Sequence, residues 1–392
     1  MKKTAVNIIG NKQCTGCFGC YNICPVNAIE MKYDGEGFYK PNILENCIEC
    51  GKCEKVCPVI KNENNNKYVK AYGAWSNNEE ILLNSSSGGI FSELALEILN
   101  ENGVIYGASW ENGNVKHKRI EKKENLKDLR GSKYLPSFVG NSYKEVVEDL
   151  KNNKKVLFSG TPCQIAALNK IIKSNNLITV DLICHGMPSY KSYKKYCDEE
   201  FKNPVTKVDF RSKKTGWINY SLIYYTNILK NNFHYMDKFF FGFLKDIYLN
   251  EPCYACKFKG TKNGERREAD ITLADFWGVP KELFNKNGVS LVITNNEKGE
   301  EIFSKIKNKI FFKEVSLETG IKGNQSFYKS CARPKERDMF YEDFDKLSFN
   351  ELSDKYFRVP SLMERKIKRI INFPRRVLGF IKRRILKIVK GV

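Results

Sequence analysis

Eight of the fourteen cysteines fall between Cys14 and Cys57, and their spacing constrains this chain more than any other feature. They form two blocks of one pattern, C-x2-C-x2-C-x3-C-P: Cys14, Cys17, Cys20 and Cys24 before Pro25, then Cys47, Cys50, Cys53 and Cys57 before Pro58. The second block repeats the first at a constant offset of 33 residues, which is an internal duplication. Two-residue spacing lets three thiolates converge on one face of an iron-sulfur cube. The fourth cannot reach that cube and, in two-cluster proteins, binds the other one. The spacing therefore assigns Cys14, Cys17, Cys20 and Cys57 to one [4Fe-4S] cluster, and Cys47, Cys50, Cys53 and Cys24 to a second. Zinc would need only tetrahedral pairs of C-x2-C, with no third close cysteine and no trailing proline.

A block this short leaves most of the 392 residues for other domains, and 42% hydrophobic content supplies ordinary cores. The expected fold is an α+β ferredoxin-like domain over 1–62, then an α/β core with a partly parallel sheet. Within that core we separate an N-terminal part, 68–150, from a C-terminal part, 151–345. The polar stretch from Lys61 to Lys67 reads as the linker. Lys70 to Trp75 reads as a strand, Ser85 to Gly89 as a turn and helix cap, and Ile90 to Leu99 as an amphipathic helix. Val156 to Phe158, Cys163 to Lys173 and Leu177 to Ile183 read as strand, helix and strand, so the two strands should be parallel. Cys163 and Cys184 then fall at the carboxyl edge of a parallel sheet, where ligand crevices form. The pair Cys253 and Cys256 could complete a set of four. Spacing alone fits equally well two small buried hydrophobes and an incidental or redox-active pair. Cys197 and Cys331 have no partner pattern and read as structural.

The formal net charge of +21 is concentrated: Glu364 to Val392 holds eleven lysines and arginines against one acid. Within this tail, 364–392, Val377, Leu378, Phe380, Ile381, Ile385, Ile388 and Val389 share one helical arc, and Arg376, Arg383, Lys387 and Lys390 another. Pro374 should break any helix running in from Glu364. A basic amphipathic helix of this kind suits the anionic face of a membrane or an acidic partner. Nucleic acid is not expected as a partner, since charge is its only support. No run of about 18 apolar residues predicts a spanning helix, and Met1 to Gly10 does not read as a signal peptide. The expected location is cytoplasmic, with peripheral association at the inner face of the cell membrane through the tail.

Several motifs occur in order through the core: Ser87-Gly88-Gly89, Arg130-Gly131-Ser132-Lys133-Tyr134, Ser159-Gly160-Thr161-Pro162-Cys163-Gln164, Asp181 through Cys184-His185-Gly186, Cys253 with Cys256, Ala269 to Thr272 and Asp275-Phe276-Trp277-Gly278. Together they resemble the family of coenzyme F420 hydrogenase/dehydrogenase beta subunits over about residues 68–340, with a ferredoxin domain fused in front. The resemblance implies a third [4Fe-4S] cluster at Cys163, Cys184, Cys253 and Cys256, and a flavin, FAD, beside it. It places flavin contacts at Ser87, Gly88, Gly89, Gly131, Ser132, Lys133, Tyr134 and Thr161, through close backbone approach at the glycines and a lysine for phosphate or the reduced ring. His185 is a candidate proton donor and Asp275, with Trp277, a candidate lining of the substrate crevice; each also reads as a packing residue. His117 and His234 stand in no usable pattern. The implied function is an oxidoreductase passing electrons between clusters and FAD, with a deazaflavin (coenzyme F420) or another small organic molecule as hydride-equivalent donor or acceptor. The alternative is a non-catalytic electron-transfer subunit. Either needs a redox partner protein, a ferredoxin or a catalytic subunit.

Overall fold

The computed structural model describes residues 4–61, 66–227, 229–365 and 367. The duplication is already visible in its backbone. Gly16 and Glu49 occupy equivalent places in the two blocks, as do Phe18 and Gly51, and all four are left-handed, with φ of 68°, 55°, 66° and 69°. That bend turns each cysteine loop into a short helix, Gly19–Ile23 in one block and Lys52–Lys55 in the other. The amides of Cys14 and Cys47 donate to the equivalent carbonyls of Asn11 and Leu44, both at 3.2 Å. A residue with a side chain loses about 1 kcal/mol in this conformation, so Phe18 and Glu49 mark a backbone path imposed by the loop. Between the blocks, β1 (Ile29–Tyr33) and β2 (Tyr39–Ile43) form an antiparallel hairpin.

Among the described residues, the core is built on a nine-stranded sheet. Its centre is a parallel run of β4 (Val104–Glu111), β7 (Val156–Gly160), β8 (Leu177–Leu182) and β12 (Ile271–Asp275). Each of these strands opens on residues that are mostly apolar and buried, because both faces of a parallel sheet are covered. Val156 to Phe158, Leu177 to Val180 and Ile271 to Thr272 are all buried. The Pro162–Ile171 helix crosses from β7 to β8, the unit expected from the pattern, with Val156 opposite Leu177. Antiparallel strands extend the sheet: β13 (Ser290–Thr294), β3 (Lys70–Ser76) and β14 (Ile310–Val315) on one side, and β5 (Asn114–Ile120) on the other, where two-residue β6 (Ser137–Phe138) closes the edge. The parts separated at 150/151 thus share one sheet, and the separation falls within the Ser142–Lys151 helix. A second sheet holds β9 (Lys207–Ser212), β10 (Ser221–Tyr225) and β11 (Lys230–Phe233). The amphipathic helix expected over 375–389 lies outside the described residues, as does most of the linker.

The N-terminal unit is packed hard against this core. A Cβ added to Gly19 would lie 3.2 Å from the Ala167 methyl, so the Gly19–Ile23 helix rests directly on the Pro162–Ile171 helix. A Cβ on Gly37 would meet the Lys191 amide nitrogen at 2.4 Å. Tyr33 stacks on Tyr190 with centroids 4.9 Å apart, and Ser189 Oγ donates to the Glu36 carbonyl at 2.6 Å. Phe18, Ile29 and Met31 share a hydrophobic cluster with Val104, Tyr143, Ile165 and Leu168. At about 25 cal/mol per Å² of apolar surface removed from water, such a contact holds the two units in a fixed relation.

Candidate metal centres and the adjoining cleft

Docking breaks the symmetry of the duplication. Cys14, Cys17 and Cys57 are buried and Cys20 is half-buried, whereas Cys50 is exposed and Cys24, Cys47 and Cys53 are half-buried. The first set of cysteines is therefore the more buried and the second the more exposed. Burial pushes the Cys17 thiol up to about 12, with Cys14 adding to the rise. Cys20 is driven well above its ordinary range by burial and by Cys17, Cys14, Cys57 and Cys53. Thiolates that repel one another in this way are naturally held by a cationic centre. Amide donors from Gly16 to Cys14 and Gly19 to Cys17 oppose the rise.

Cys163, Cys184, Cys253 and Cys256 line a single cavity. Cys163 sits in the first turn of the Pro162–Ile171 helix, which Thr161 and Gln164 cap reciprocally. Cys184 follows the end of β8, so the two stand at the carboxyl ends of adjacent parallel strands. Cys253 lies on the 3₁₀ turn Glu251–Ala255, and Cys256 ends it. The Met187 amide donates to Cys253 Sγ at 3.4 Å, and the Thr161 hydroxyl lies 3.2 Å from Cys163 Sγ. Burial raises the thiols of Cys163, Cys184 and Cys253. Among the described residues, three potential ligand atoms come within 4.8 Å of one another only at His185, Asp246 and Cys331. No three sulfurs of either kind of set are that close, whereas a tetrahedral zinc with bonds of about 2.3 Å would draw them to about 4 Å. Donor sets made of four thiols each have the chemistry that iron-sulfur clusters take.

The same cavity is lined by Thr15 and Gly16 of the first cysteine loop, so the inner N-terminal set and the core set adjoin. Lys259 and Arg267 also reach it. Lys259 Nζ donates to the Cys184 carbonyl at 2.6 Å, and Arg267 pairs with the buried Asp181 at 2.6 Å. His185 lines the cavity with Nε2 2.6 Å from Asp246 Oδ1, and the Cys331 thiol donates to the His185 carbonyl at 3.1 Å. Cys331 has therefore gained neighbours that no sequence pattern announced. Cys197 is buried beside Tyr193 in a hydrophobic cluster.

The segments expected to meet a flavin are brought together. Ser132 donates through its amide to Ser86 Oγ at 2.8 Å, which joins the Ser85–Gly89 loop to the Gly131–Tyr134 loop. Ser87 Oγ donates to the Val289 carbonyl, and the Gly88 amide donates to Ser290 Oγ, at 2.8 and 2.9 Å. A Cβ on Gly88 would stand 2.3 Å from the Ala74 oxygen, so only glycine fits. Gly89 has φ of 84° and caps the Ile90–Asn100 helix. Gly131 is also left-handed, with open space where a Cβ would point. Lys133 Nζ lies 2.8 Å from the Arg130 carbonyl and 3.1–3.2 Å from those of Asp128, Leu129 and Gly131, which share its protons, and burial draws its pKa down to about 7. Tyr134 packs edge-on against Phe210 and Phe240. Asp275 is committed to its neighbours: Oδ1 accepts from Arg211 Nη2 at 2.8 Å and from Trp217 Nε1 at 2.9 Å.

Sequence reading missed two cations beside these loops. Arg211 is buried between Tyr220 and Trp277, with Nε left without a partner. Lys213 donates to the Leu82 and Ser87 carbonyls, both at 2.6 Å. Arg211 lies on β9 of the second sheet and Lys213 in the 3₁₀ turn that follows it, so only the tertiary fold brings them to the serine loop.

Residues 153–319 match the family model for the C terminus of the beta subunit of coenzyme F420 hydrogenase/dehydrogenase. Residues 13–60 match a 4Fe-4S dicluster domain that takes in all eight N-terminal cysteines, and a second model of that description matches 43–99. An uncharacterized protein of Methanocaldococcus jannaschii is 24% identical over 345 residues, which is 75% of this chain and 86% of that protein. The F subunit of the F(420)H(2) dehydrogenase of Methanosarcina mazei is 24% identical over 205 residues, 47% of this chain and 56% of that one. This chain thus spans little more than half the length of that second relative. A chain of the F420-reducing [NiFe] hydrogenase complex from Methanosarcina barkeri is 21% identical with a TM-score of 0.46, covering 66% of this chain and 91% of that chain. The resemblance carried by the motifs holds at the level of these matches: a region that matches a 4Fe-4S dicluster model is followed by one that matches the model for the C terminus of the coenzyme F420 hydrogenase/dehydrogenase beta subunit.

Proposed function

We propose that this chain is an iron-sulfur flavoprotein oxidoreductase, acting as the electron-transfer subunit of a complex of the F420 hydrogenase/dehydrogenase kind. The observation that carries this reading is the cavity in which Cys163, Cys184, Cys253 and Cys256 meet beside the loop of Cys14 and Cys17. When bound, [4Fe-4S] clusters carry single electrons, and FAD exchanges them in pairs with an organic substrate such as a deazaflavin. Cys14, Cys17, Cys20 and Cys57 would hold the inner N-terminal cluster, Cys24, Cys47, Cys50 and Cys53 the outer one, and the four core cysteines a third. Ser86 and Ser132 join the two loops that would take the flavin, the close-packed backbone at Gly88 and Gly89 fixes their approach, and Arg211 and Lys213 supply positive charge beside them. The Asp246 carboxylate orients the His185 ring where it lines the cavity, which suits a proton-holding group. Asp275 fixes Arg211 and Trp217 rather than presenting a free carboxylate. The basic tail would attract an anionic membrane face or an acidic partner.

Anaerobic purification with iron, acid-labile sulfide and flavin measured together tests the assignment. Three clusters require about twelve irons per chain and the N-terminal pair alone about eight. Cys253→Ala is expected to lose about four irons and keep the rest; a wild-type value near eight with flavin present would sink the core cluster. The second reading, a subunit with no substrate of its own, rests on the relative that is by name one part of a dehydrogenase. Turnover of the isolated chain with a reduced ferredoxin or dithionite and a candidate acceptor would end it.

A further inference from the structure

Between the inner N-terminal cysteines and the core cysteines lies a lysine that neither motif contains. Lys40, on β2, is buried at 7% exposure. Its Nζ donates to the Cys14 carbonyl at 2.7 Å and to Asn250 Oδ1 at 3.0 Å. Asn250 in turn presents its Nδ2 to the same Cys14 carbonyl at 3.4 Å, and its own carbonyl accepts from the Cys253 amide at 2.8 Å. One side chain thus ties the loop of Cys14 to the turn of Cys253.

Both oxygens that Lys40 touches are neutral, so hydrogen bonding satisfies its protons without answering its charge. A buried ammonium needs anions around it, since leaving water costs several kcal/mol otherwise, of the order found for buried unpaired charges. Burial works to lower its pKa, and the groups that oppose this are Cys14 and Cys253, one from each cysteine set, with Asp34 and Glu36 of the β1–β2 turn. A cluster held by four thiolates is an anion before it takes an electron and a larger one after, so a nearby fixed cation favours the reduced form. Net charge and hydrogen bonding near the sulfurs are among the levers that set such potentials.

We propose that Lys40 is a charge-tuning and positioning residue shared by the two cysteine sets, making the centre at Cys14, Cys17, Cys20 and Cys57 easier to reduce and holding it against the turn of Cys253. The half of this inference that concerns Cys253 rests on the core-cluster reading above; the half that concerns Cys14 does not. A peg that only joined the two units would stabilise the fold and leave the potentials where they are.

The test is a reductive titration of the full chain, purified anaerobically and followed by electron paramagnetic resonance, with iron counted for each variant. Lys40→Gln keeps a donor for the Cys14 carbonyl and removes the charge, so the midpoint of the inner centre should fall. Lys40→Arg restores the charge and should return it toward the wild-type value. Asn250→Asp leaves Lys40 in place but answers its charge with a carboxylate, and should lower the same midpoint. In each case the outer centre at Cys24, Cys47, Cys50 and Cys53 should move less. Lys40→Gln with full iron content and an unmoved inner midpoint overturns the proposal, as do equal shifts at both N-terminal centres. Should Lys40→Gln fail to fold, an unmoved midpoint in Asn250→Asp overturns it. An iron count near eight in the wild type removes the core cluster but not this test, because the inner midpoint still decides.

Discussion

Asp181 and Arg267 show how single residues underwrite the core cavity. Arg267 Nη2 and Thr272 Oγ1 both meet Asp181 Oδ1 at 2.6 Å, and the ion pair is sealed from solvent. Burial raises the Asp181 carboxyl, and Arg267 is the largest influence holding it down. Arg267→Met would leave a buried carboxylate uncompensated, at a cost of about 3–5 kcal/mol. Urea unfolding should show that loss, and Asp181→Asn in the same chain should recover a large part of it. Asp181 was readable because it belongs to the motif of Cys184. Its arginine lies 86 positions along the chain, and a single sequence does not reveal pairings at that range. The thiols make a second residue-level prediction. With burial holding Cys17 near 12, that group is protonated in the metal-free chain at neutral pH. Loading iron and sulfide must then release its proton, and loading should weaken as pH falls; acid release measured in weakly buffered medium during reconstitution checks this.

Among the elements, β5 carries a titration of its own. His117 places Nε2 3.2 Å from the Ser159 carbonyl and stacks on Phe158 at 5.1 Å. Burial lowers its pKa from an ordinary 6.5 to about 4. The folded chain therefore resists protonation more than the unfolded chain does. Its contribution to stability is intact above 6.5 and is lost as pH falls toward 4. The loss is at most about 3 kcal/mol by linkage, and less because the ring is only half-buried. Unfolding curves of wild type and His117→Phe should diverge across that window and run parallel above it. The helix between β7 and β8 was legible because strand, turn, cap and helix lie within one local stretch whose patterns agree. The antiparallel additions were not: β14 pairs with β3 across more than 200 residues, and β6 is two residues long. The two loops proposed to take a flavin fall between these cases. Their glycines and serines are local signals, while Arg211 comes from a separate sheet and Lys213 from the turn that follows its strand. Gly88→Ala tests the packing part directly, because the new methyl would meet the Ala74 oxygen and the Ser290 amide. We expect a loss of about 1–3 kcal/mol, the usual range for overpacking, together with weakened flavin retention.

At the scale of the whole molecule, the duplicated blocks are equivalent in sequence and unequal in place. Nothing in two copies of one cysteine pattern says which will be inner and which outer, since that difference arises only when the Gly19–Ile23 helix settles on the Pro162–Ile171 helix. The structure puts Cys14, Cys17 and Cys57 under protein and leaves Cys50 in solvent. On the proposed assignment, the three centres then lie in the order outer, inner, core. Exchange with a protein partner would take place at the outer face, and exchange with a small organic substrate at the far end of the core. The outer face bears an apolar residue in the cysteine loop itself: Ile48, between Cys47 and Cys50, is 60% exposed. Exposed apolar side chains are unremarkable singly, but one placed between two ligands of the outermost centre will be covered when a redox protein docks closely enough to exchange an electron. Ile48→Lys should therefore slow reduction by a protein donor such as a reduced ferredoxin, by up to about tenfold if one well-packed contact worth about 1.4 kcal/mol is lost. Reduction by dithionite, iron content and unfolding midpoint should stay at wild-type values, because the side chain is in solvent and the smaller reagent needs no docking surface. Equal slowing with both reductants would place the defect inside the chain, and an unchanged rate with the protein donor would move the docking face away from the Cys47 loop.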